Sequence, residues 1–394
     1  MKKHVISLAV SMAFAAPVLA QSTGVTLYGV IDEGLDFTNN VAGHHVWELA
    51  SGYVQGSRWG LKGTEDLGGG LKAIVQLENG YNLSNGRLGQ GGLMFGRQAY
   101  VGVASDAYGT LTLGRQYDSV VDFLAQTTAN GNWGGLLLSH PFDNDNTDNT
   151  FRVNNTVKYT SPEFTGLQFG ATYSFSNATN FANNRQYSVG GQYTNGGLLV
   201  AGAYLQANNP SATAGGAINN GGDENFVASR LRIFGGGINY TFGQATGGFV
   251  YTNTHLKDPT ANGYLNQTAG DMQTVLPVTG PLAGATLSSI RFHNFEVNGK
   301  YQLTPSLFVG AQYIYTIERY DTTLGDARPK IHTFGLMADY NISKRTDVYL
   351  QGAYQKIAGD KTGSSLDQAF VPGAADLSSN DKQLVVRFAI RHKF

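Results

Sequence analysis

Arg58 and Lys62, Arg152 and Lys158, and Arg387 and Arg391 are pairs of cations at even spacings. On a β-strand even spacing places side chains on one face. Lys72 lies in the strand-like run that follows the first pair, with the same parity relative to its apolar neighbours. A separate stretch, 117–151, carries Asp118, Asp122, Asp143, Asp145 and Asp148. Cations on a wall facing carboxylates across a narrow gap perform no bond-making chemistry. They set up a transverse field in a poorly screened space, which sorts small solutes by size and charge and orients dipolar ones.

Patterns suited to catalysis are weak by comparison. Asp143-Asn144-Asp145-Asn146-Thr147-Asp148 has the acidic start of a calcium loop, but the sixth position is Asp148 rather than Gly and the twelfth is Asn154 rather than Glu. It is expected to be a polar turn. His44, His45, His140, His255, His293 and His332 show no metal-ligand spacing. Gly68-Gly69-Gly70 and Gly235-Gly236-Gly237 lack the Lys-Ser/Thr and the helix of a phosphate loop. With no cysteine, thiol chemistry, disulfides and thiolate metal sites are excluded. No catalytic residue, metal or cofactor is expected.

The elements that position the cations are strands. Only 14% of residues are charged and 52 are glycine, yet mean hydropathy is −0.20, too polar for a bundle of membrane helices. An apolar outer face combined with a polar lumen and polar loops gives this balance. Residues 1–20 have the form of a secretory leader: Lys2 and Lys3, an apolar run from Val5 to Ala16, and Val18-Leu19-Ala20 for cleavage. Without the leader's two lysines, 25 cations face 28 carboxylates, so no nucleic-acid partner is expected. Elsewhere no apolar run reaches the roughly 18 residues of a spanning helix.

From Val25 onward, alternation of period two recurs to the end. Leu167, Phe169, Ala171, Tyr173 and Phe175 alternate with Gln168, Thr172 and Ser174, and Leu384, Val386, Phe388 and Ile390 alternate with Arg387 and Arg391. Short turn-rich connections fall at 65–70, 105–109, 161–166, 194–197, 243–247, 304–306 and 343–345. Long ones fall at 39–55, 84–93, 117–151, 177–185, 208–229, 257–288, 320–330 and 359–380. Seven short and eight long connections join sixteen strands. The pattern predicts an all-β, sixteen-stranded antiparallel transmembrane barrel formed by residues 21–394, with an aqueous lumen. Tyr159, Tyr193, Tyr240, Tyr301, Tyr340 and Phe394 cluster near the short turns as one interfacial girdle.

Five segments resemble the general diffusion porins of β-proteobacteria such as Burkholderia and Neisseria. They are Ser57-Arg58-Trp59-Gly60-Leu61-Lys62-Gly63-Thr64-Glu65-Asp66-Leu67-Gly68, Gly96-Arg97-Gln98-Ala99-Tyr100-Val101-Gly102, Leu113-Gly114-Arg115-Gln116, Asn154-Asn155-Thr156-Val157-Lys158-Tyr159-Thr160-Ser161-Pro162 and Arg391-His392-Lys393-Phe394. The resemblance implies a homotrimer in the outer membrane of a Gram-negative bacterium, among lipid and lipopolysaccharide, with the third long loop folded into each pore. It also places Arg58, Arg97 and Arg152 at the motif positions of a basic constriction wall, with Arg115 opening the inward loop and the terminal Phe394 as an assembly signal; strand alternation adds Lys62, Lys72 and Lys158 to that wall, opposite Asp118 and Asp122 of the loop. The function expected is passive diffusion of ions and small hydrophilic solutes with moderate anion preference. A substrate-specific channel using Tyr28, Tyr100 and Tyr117, and an adhesin or receptor acting through loops 208–229 and 257–288, are the alternatives. Two residues break the pattern. Arg97 shares the parity of Ala99 and Val101, which calls for a bulge or a strand that begins after it, and Glu33 falls on an outward parity, which calls for a bulge or a protomer interface.

Overall fold

A computed structural model describes residues 24–394, apart from 212–214, 219–222, 224–225 and 266–272. The leader expected at 1–20 lies outside the described residues. Sixteen antiparallel strands close into a barrel. They are β1 (Gly24–Val41), β2 in two pieces (His44–Ser51 and Arg58–Gly68), β3 (Leu71–Gly80), β4 (Gln98–Ser105), β5 (Gly109–Gln116), β6 (Val153–Thr160), β7 (Leu167–Ser174) and β8 (Arg185–Asn195). The second half comprises β9 (Leu198–Asn208), β10 (Arg230–Phe242), β11 (Ala245–Lys257), β12 (Leu287–Thr304), β13 (Leu307–Thr322), β14 in two pieces (Gly325–Ala327 and Pro329–Asn341), β15 (Thr346–Gly359) and β16 (Lys382–Lys393).

Closure joins β1 to β16, from Val30 opposite Lys393 to Thr38 opposite Val385. The last residue completes it. Phe394 and Gly29 exchange both backbone hydrogen bonds at 3.0 Å, and a Cβ on Gly29 would collide with the Phe394 ring. Only a glycine admits that ring against the seam.

Two connections expected to be long are tight turns. Ala42-Gly43, both with positive φ, reverse the chain between Val41 and His44, and Thr323-Leu324 do the same before Gly325. The irregular part of the first is a break at 52–57 inside β2, where both flanking pieces still pair with β1. The strand count is unaffected because each turn still joins neighbouring strands.

Within the membrane band the alternation has its expected sense, with Val101, Leu113, Phe169, Val297, Leu336 and Phe388 exposed on the outer wall. Beyond it, on β10–β15, the sense inverts. Leu231, Ile290, Phe292, Tyr320, Ile331 and Ile357 point inward and are buried. Their partners are loops folded down into the lumen: Phe226, Tyr264, Val275, Phe370 and Val371 join them in one apolar core. Phe226 stands 5.7 Å from Phe292, and Tyr264 lies edge-on to Phe370 at 5.9 Å. At about 1.5–3 kcal/mol for each large side chain fully removed from water, this core holds the loops in place. The lumen beside β8–β15 is therefore filled, and open volume remains beside β1–β5.

Candidate functional site

The open volume is a cavity of about 1120 Å³ between β1–β4, the break at 52–57 and the third long loop, residues 117–152. Its wall is built from inward positions on adjacent strands. On β1–β4 the hydroxyl of Tyr100 donates to Gln76 Oε1, Gln76 Nε2 donates to Tyr28 Oη, and Tyr28 Oη donates to Glu78 Oε2, each at 2.8 Å. Glu78 sits between two guanidinium groups: Arg97 Nε donates to its Oε1 at 2.9 Å, and Arg58 Nε stands 3.9 Å from its Oε2. Lys62 lies 4.7 Å over the Tyr28 ring, and Arg152 lies 5.6 Å from the Tyr117 ring, whose hydroxyl accepts from Arg97 at 2.8 Å. Three cations of the wall, with Arg152 at the end of the third loop, thus surround one carboxylate. The Tyr117 phenol reports the resulting potential. Burial should raise its pKa, yet Arg97, Arg152 and Arg58 together outweigh burial and Glu78 and hold it below its ordinary value.

The opposite side of the cavity is the third loop, which lies against the inner wall of β8–β15. Its course is set by polar residues reaching inward from the strands. Ser188 Oγ accepts from Ser119 N at 3.0 Å, Gln312 donates to Leu138 O at 2.9 Å, and Gln351 donates to Gly134 O at 2.5 Å. Glu296 is the central anchor: Oε1 accepts from Ala129 N at 2.6 Å, and Oε2 is 2.9 Å from His140 Nε2. The other ring nitrogen of His140 lies 2.5 Å from Asp145, which also accepts from Thr252 Oγ1 at 2.5 Å. Burial alone would strip the proton from His140, but Asp145 and Glu296 outweigh it and raise its pKa to about 10, so the ring is a cation between two carboxylates. Glycines in the wall make room. A Cβ at Gly310 would stand 2.6 Å from the Trp133 ring of the loop.

Of the residues expected at the constriction, Arg58, Lys62, Arg97 and Arg152 border the cavity together. Arg97 does so because β4 begins at Gln98, which leaves it free of the strand's alternation. The others are placed differently. Lys72 sits at the short-turn rim beside Asp106, 3.5 Å away, since its parity is inward but its height is that of the turn. Arg115 is held at 2.6 and 2.7 Å by both oxygens of Asp223 in the loop after β9, and donates to Gly96 O. Its charge is spent on tying that loop down. Lys158 and Asp122 form an ion pair at the root of the third loop, away from the cavity. Asp118 is buried and accepts from Val120 N at 2.7 Å and Asn146 Nδ2 at 2.8 Å; burial pushes its pKa up to about 6. It stabilises the loop's first turn and does not face the cavity.

The carboxylate that the loop does present is Asp148, pushed up to about 7 by burial, against the pull of Asn130, Arg152 and Arg97. The 143–148 run is a polar turn: Asp143 accepts from Asp148 N and Thr150 N, and among the described residues no cluster of metal ligands is present. Glu78 and Gln76 were not singled out in the sequence; their shared parity with Lys72 on β3 is the signal that marks them. Arg387 and Arg391 face inward as expected, but both are neutralised. Arg387 is fully buried, 2.8 Å from Asp36 and 3.0 Å from Asp32, and Arg391 lies 3.1 Å from Asp347. Glu33 does point outward and accepts from Ser84 Oγ of the loop after β3, which covers it.

Comparison with known proteins places this geometry. The family model described as Gram-negative porin matches residues 7–360. An outer membrane porin protein of Bordetella pertussis is 30% identical over the full length of both chains, and outer membrane porin protein 32 of Delftia acidovorans is 29% identical, again over the full length of both. Among solved structures, an anion-selective porin from Comamonas acidovorans superposes with a TM-score of 0.69 at 24% identity, covering 95% of this chain and all of that one.

Proposed function

The chain belongs to the Gram-negative porin family, and from that premise we propose that its constriction is the gap between the β1–β4 wall and the third loop, favouring anions moderately. As a member of that family it is an outer-membrane barrel for passive diffusion of ions and small hydrophilic solutes, a channel and not an enzyme. The observation that supports the selectivity is the charge lining the cavity, where Arg58, Lys62 and Arg97 of the wall and Arg152 at the end of the third loop outnumber Glu78 and Asp148. A unit charge about 4 Å from a passing ion in water is worth about 1 kcal/mol, and more where the lumen is narrow. Each excess cation lowers a passing anion and raises a passing cation by that amount, a difference of about 2 kcal/mol or roughly thirtyfold in the anion-to-cation ratio, which salt screening then reduces.

Residues 1–20 act as the cleaved leader and the mature chain assembles as a homotrimer. Support for trimerisation is Glu33, a carboxylate on the outer face of β1 where lipid contact would be costly, held under the loop after β3 by Ser84. The test of the constriction is the double variant Arg58→Gln/Arg152→Gln. Its zero-current potential in a salt gradient should move toward cation preference relative to the parent. An unchanged potential would mean that the ions pass elsewhere.

A further inference from the structure

The break inside β2 adds length to the strand and carries that length into the pore. Glu33 pairs with Ser51 and Val30 with Arg58, so two residues of β1, Ile31 and Asp32, lie opposite residues 52–57. The surplus chain has to leave the sheet. Toward lipid its peptide groups would lack partners; it turns instead into the lumen, where Gly52, Tyr53, Val54, Gln55 and Gly56 border the cavity. Ser51-Gly52-Tyr53-Val54-Gln55-Gly56-Ser57 suits such an excursion, with a serine and a glycine at each end. Gly52, at φ +87°, allows the departure, and Ser51 Oγ donates to Ser57 Oγ at 2.9 Å across the neck. Asp32 gathers the rest. Its Oδ2 accepts from Val54 N and Gln55 N, each at 3.0 Å, and its carbonyl accepts from Gly52 N at 2.8 Å and Ser57 Oγ at 3.0 Å.

Neighbouring elements hold the excursion from several sides. The Tyr53 ring lies 4.1 Å from the Arg387 guanidinium, and its hydroxyl donates to Gly373 O of the last long loop. Tyr53 O accepts from Leu136 N of the third loop at 2.7 Å, and Ser57 O accepts from Tyr81 N at 3.1 Å where β3 ends. The third loop sits directly on this backbone: a Cβ on Gly135 would collide with the Val54 backbone. The remaining side, Gln55 and Gly56, faces the basic wall. A Cβ on Gly56 would stand 2.9 Å from Arg97 Nη1, so the excursion reaches the guanidinium itself. The cavity is thus narrowed by a piece of the barrel strand as well as by the loop, and the loop takes part of its seat from that piece.

We propose that the 52–57 excursion sets the size limit of the pore, with Gln55 as the residue that determines it, while the arginines set the preference for charge. The inference rests on the porin reading given above. Pore diameter sorts neutral solutes, and it does so sharply only where the lining does not yield. The excursion is such a lining, since Asp32, Arg387, the third loop and the last loop each fix a part of it. Gln55 is neutral, so changing its bulk changes width without changing the charge of the cavity. Its tie to Asp32 runs through its backbone N–H, so a new side chain leaves the excursion pinned.

The test is liposome swelling with purified, refolded full-length protein and neutral sugars of rising size, from a pentose to a trisaccharide. Gln55→Ala should move the size limit up by roughly one sugar unit and Gln55→Trp should move it down by about as much, because diameter governs the passage of neutral solutes. The zero-current potential of Gln55→Ala in a salt gradient should equal that of the parent. A merely structural role would shift both variants in one direction, so the opposed shifts are the signature. An unmoved limit in both variants, or shifts of the same sign, overturns the role of the excursion while leaving the porin reading intact. Folded, inserted parent protein that passes no pentose would strike the porin reading instead. Should Gln55→Trp fail to fold, Gln55→Ala decides the matter: a raised limit with an unmoved potential supports the proposal, and an unmoved limit overturns it.

Discussion

Removing the Glu296 carboxylate should loosen the third loop and make the open channel unsteady. In Glu296→Ala the Ala129 N–H loses its acceptor, and His140 keeps one of its two carboxylates. Orphaning a buried donor costs about 1–3 kcal/mol, and breaking a buried ion pair from one side costs about 3–5 kcal/mol. With Asp145 still in place, a loss of about 3 kcal/mol raises the population of displaced loop on the order of a hundredfold. The assay is single-channel recording at constant voltage, in which the variant should show frequent transitions between conductance levels while the parent stays steady. Glu296→Gln, which retains an acceptor but not the charge, should fall between them. The same anchor predicts a pH response. The folded pKa of His140 lies near 10, above the ordinary 6.5, so its stabilisation is complete below about 6.5 and is lost as pH rises through about 10. Parent channels should become noisy as pH approaches 10 and quiet again on return. Equal noise in parent and Glu296→Ala at neutral pH would refute the anchoring role.

Arg387→Met should lower the unfolding temperature of detergent-solubilised protein strongly, since it leaves Asp32 and Asp36 buried without their cation at a cost of about 3–5 kcal/mol; adding Asp32→Asn and Asp36→Asn should recover most of the loss. Lowering pH from 8 to 5 should increase anion preference, because protonation of Asp148 removes the loop's negative charge at the cavity; the zero-current potential should show this in the parent and not in Asp148→Asn. Gly310→Val should drive its side chain into Trp133 and shift the loop, with about 1–3 kcal/mol of destabilisation and an altered conductance. Deleting Phe394 should reduce the yield of folded barrel while leaving conductance per inserted channel unchanged, because the ring seals the β1–β16 seam and lies away from the cavity.

The strands and their number were legible because lipid on one side and a polar lumen on the other impose a period of two that survives in every spanning segment, as Phe388 and Arg387 show. Beyond the membrane that rule reverses. Above the lipid, water lies outside and folded loops lie inside, so Ile290 and Phe292 turn inward while Arg291 turns outward. A fixed apolar-outward rule misreads these positions. Parity also fixes a side but neither a height nor a partner. Lys72 has the right side at the wrong height, and the charge of Arg115 is consumed by Asp223, 108 residues away. The tight turn at Ala42-Gly43 was hidden because Ala is a poor marker for positive φ and the histidines after it resemble loop residues. Arg58 and Arg152 carry a motif resemblance, whereas Glu78 is marked in the sequence only by its parity with Lys72, and its place between Arg58 and Arg97 emerges when β2, β3 and β4 are brought together.

The most direct test of the account is the zero-current potential of refolded parent protein in a planar bilayer under a potassium chloride gradient near neutral pH. The arginine-rich wall predicts a stable conductance with a potential of the sign set by chloride. A potential of the opposite sign would contradict it, and would mean that Glu78, Asp148 and the remaining lumen carboxylates outweigh Arg58, Lys62, Arg97 and Arg152 at the point where ions pass.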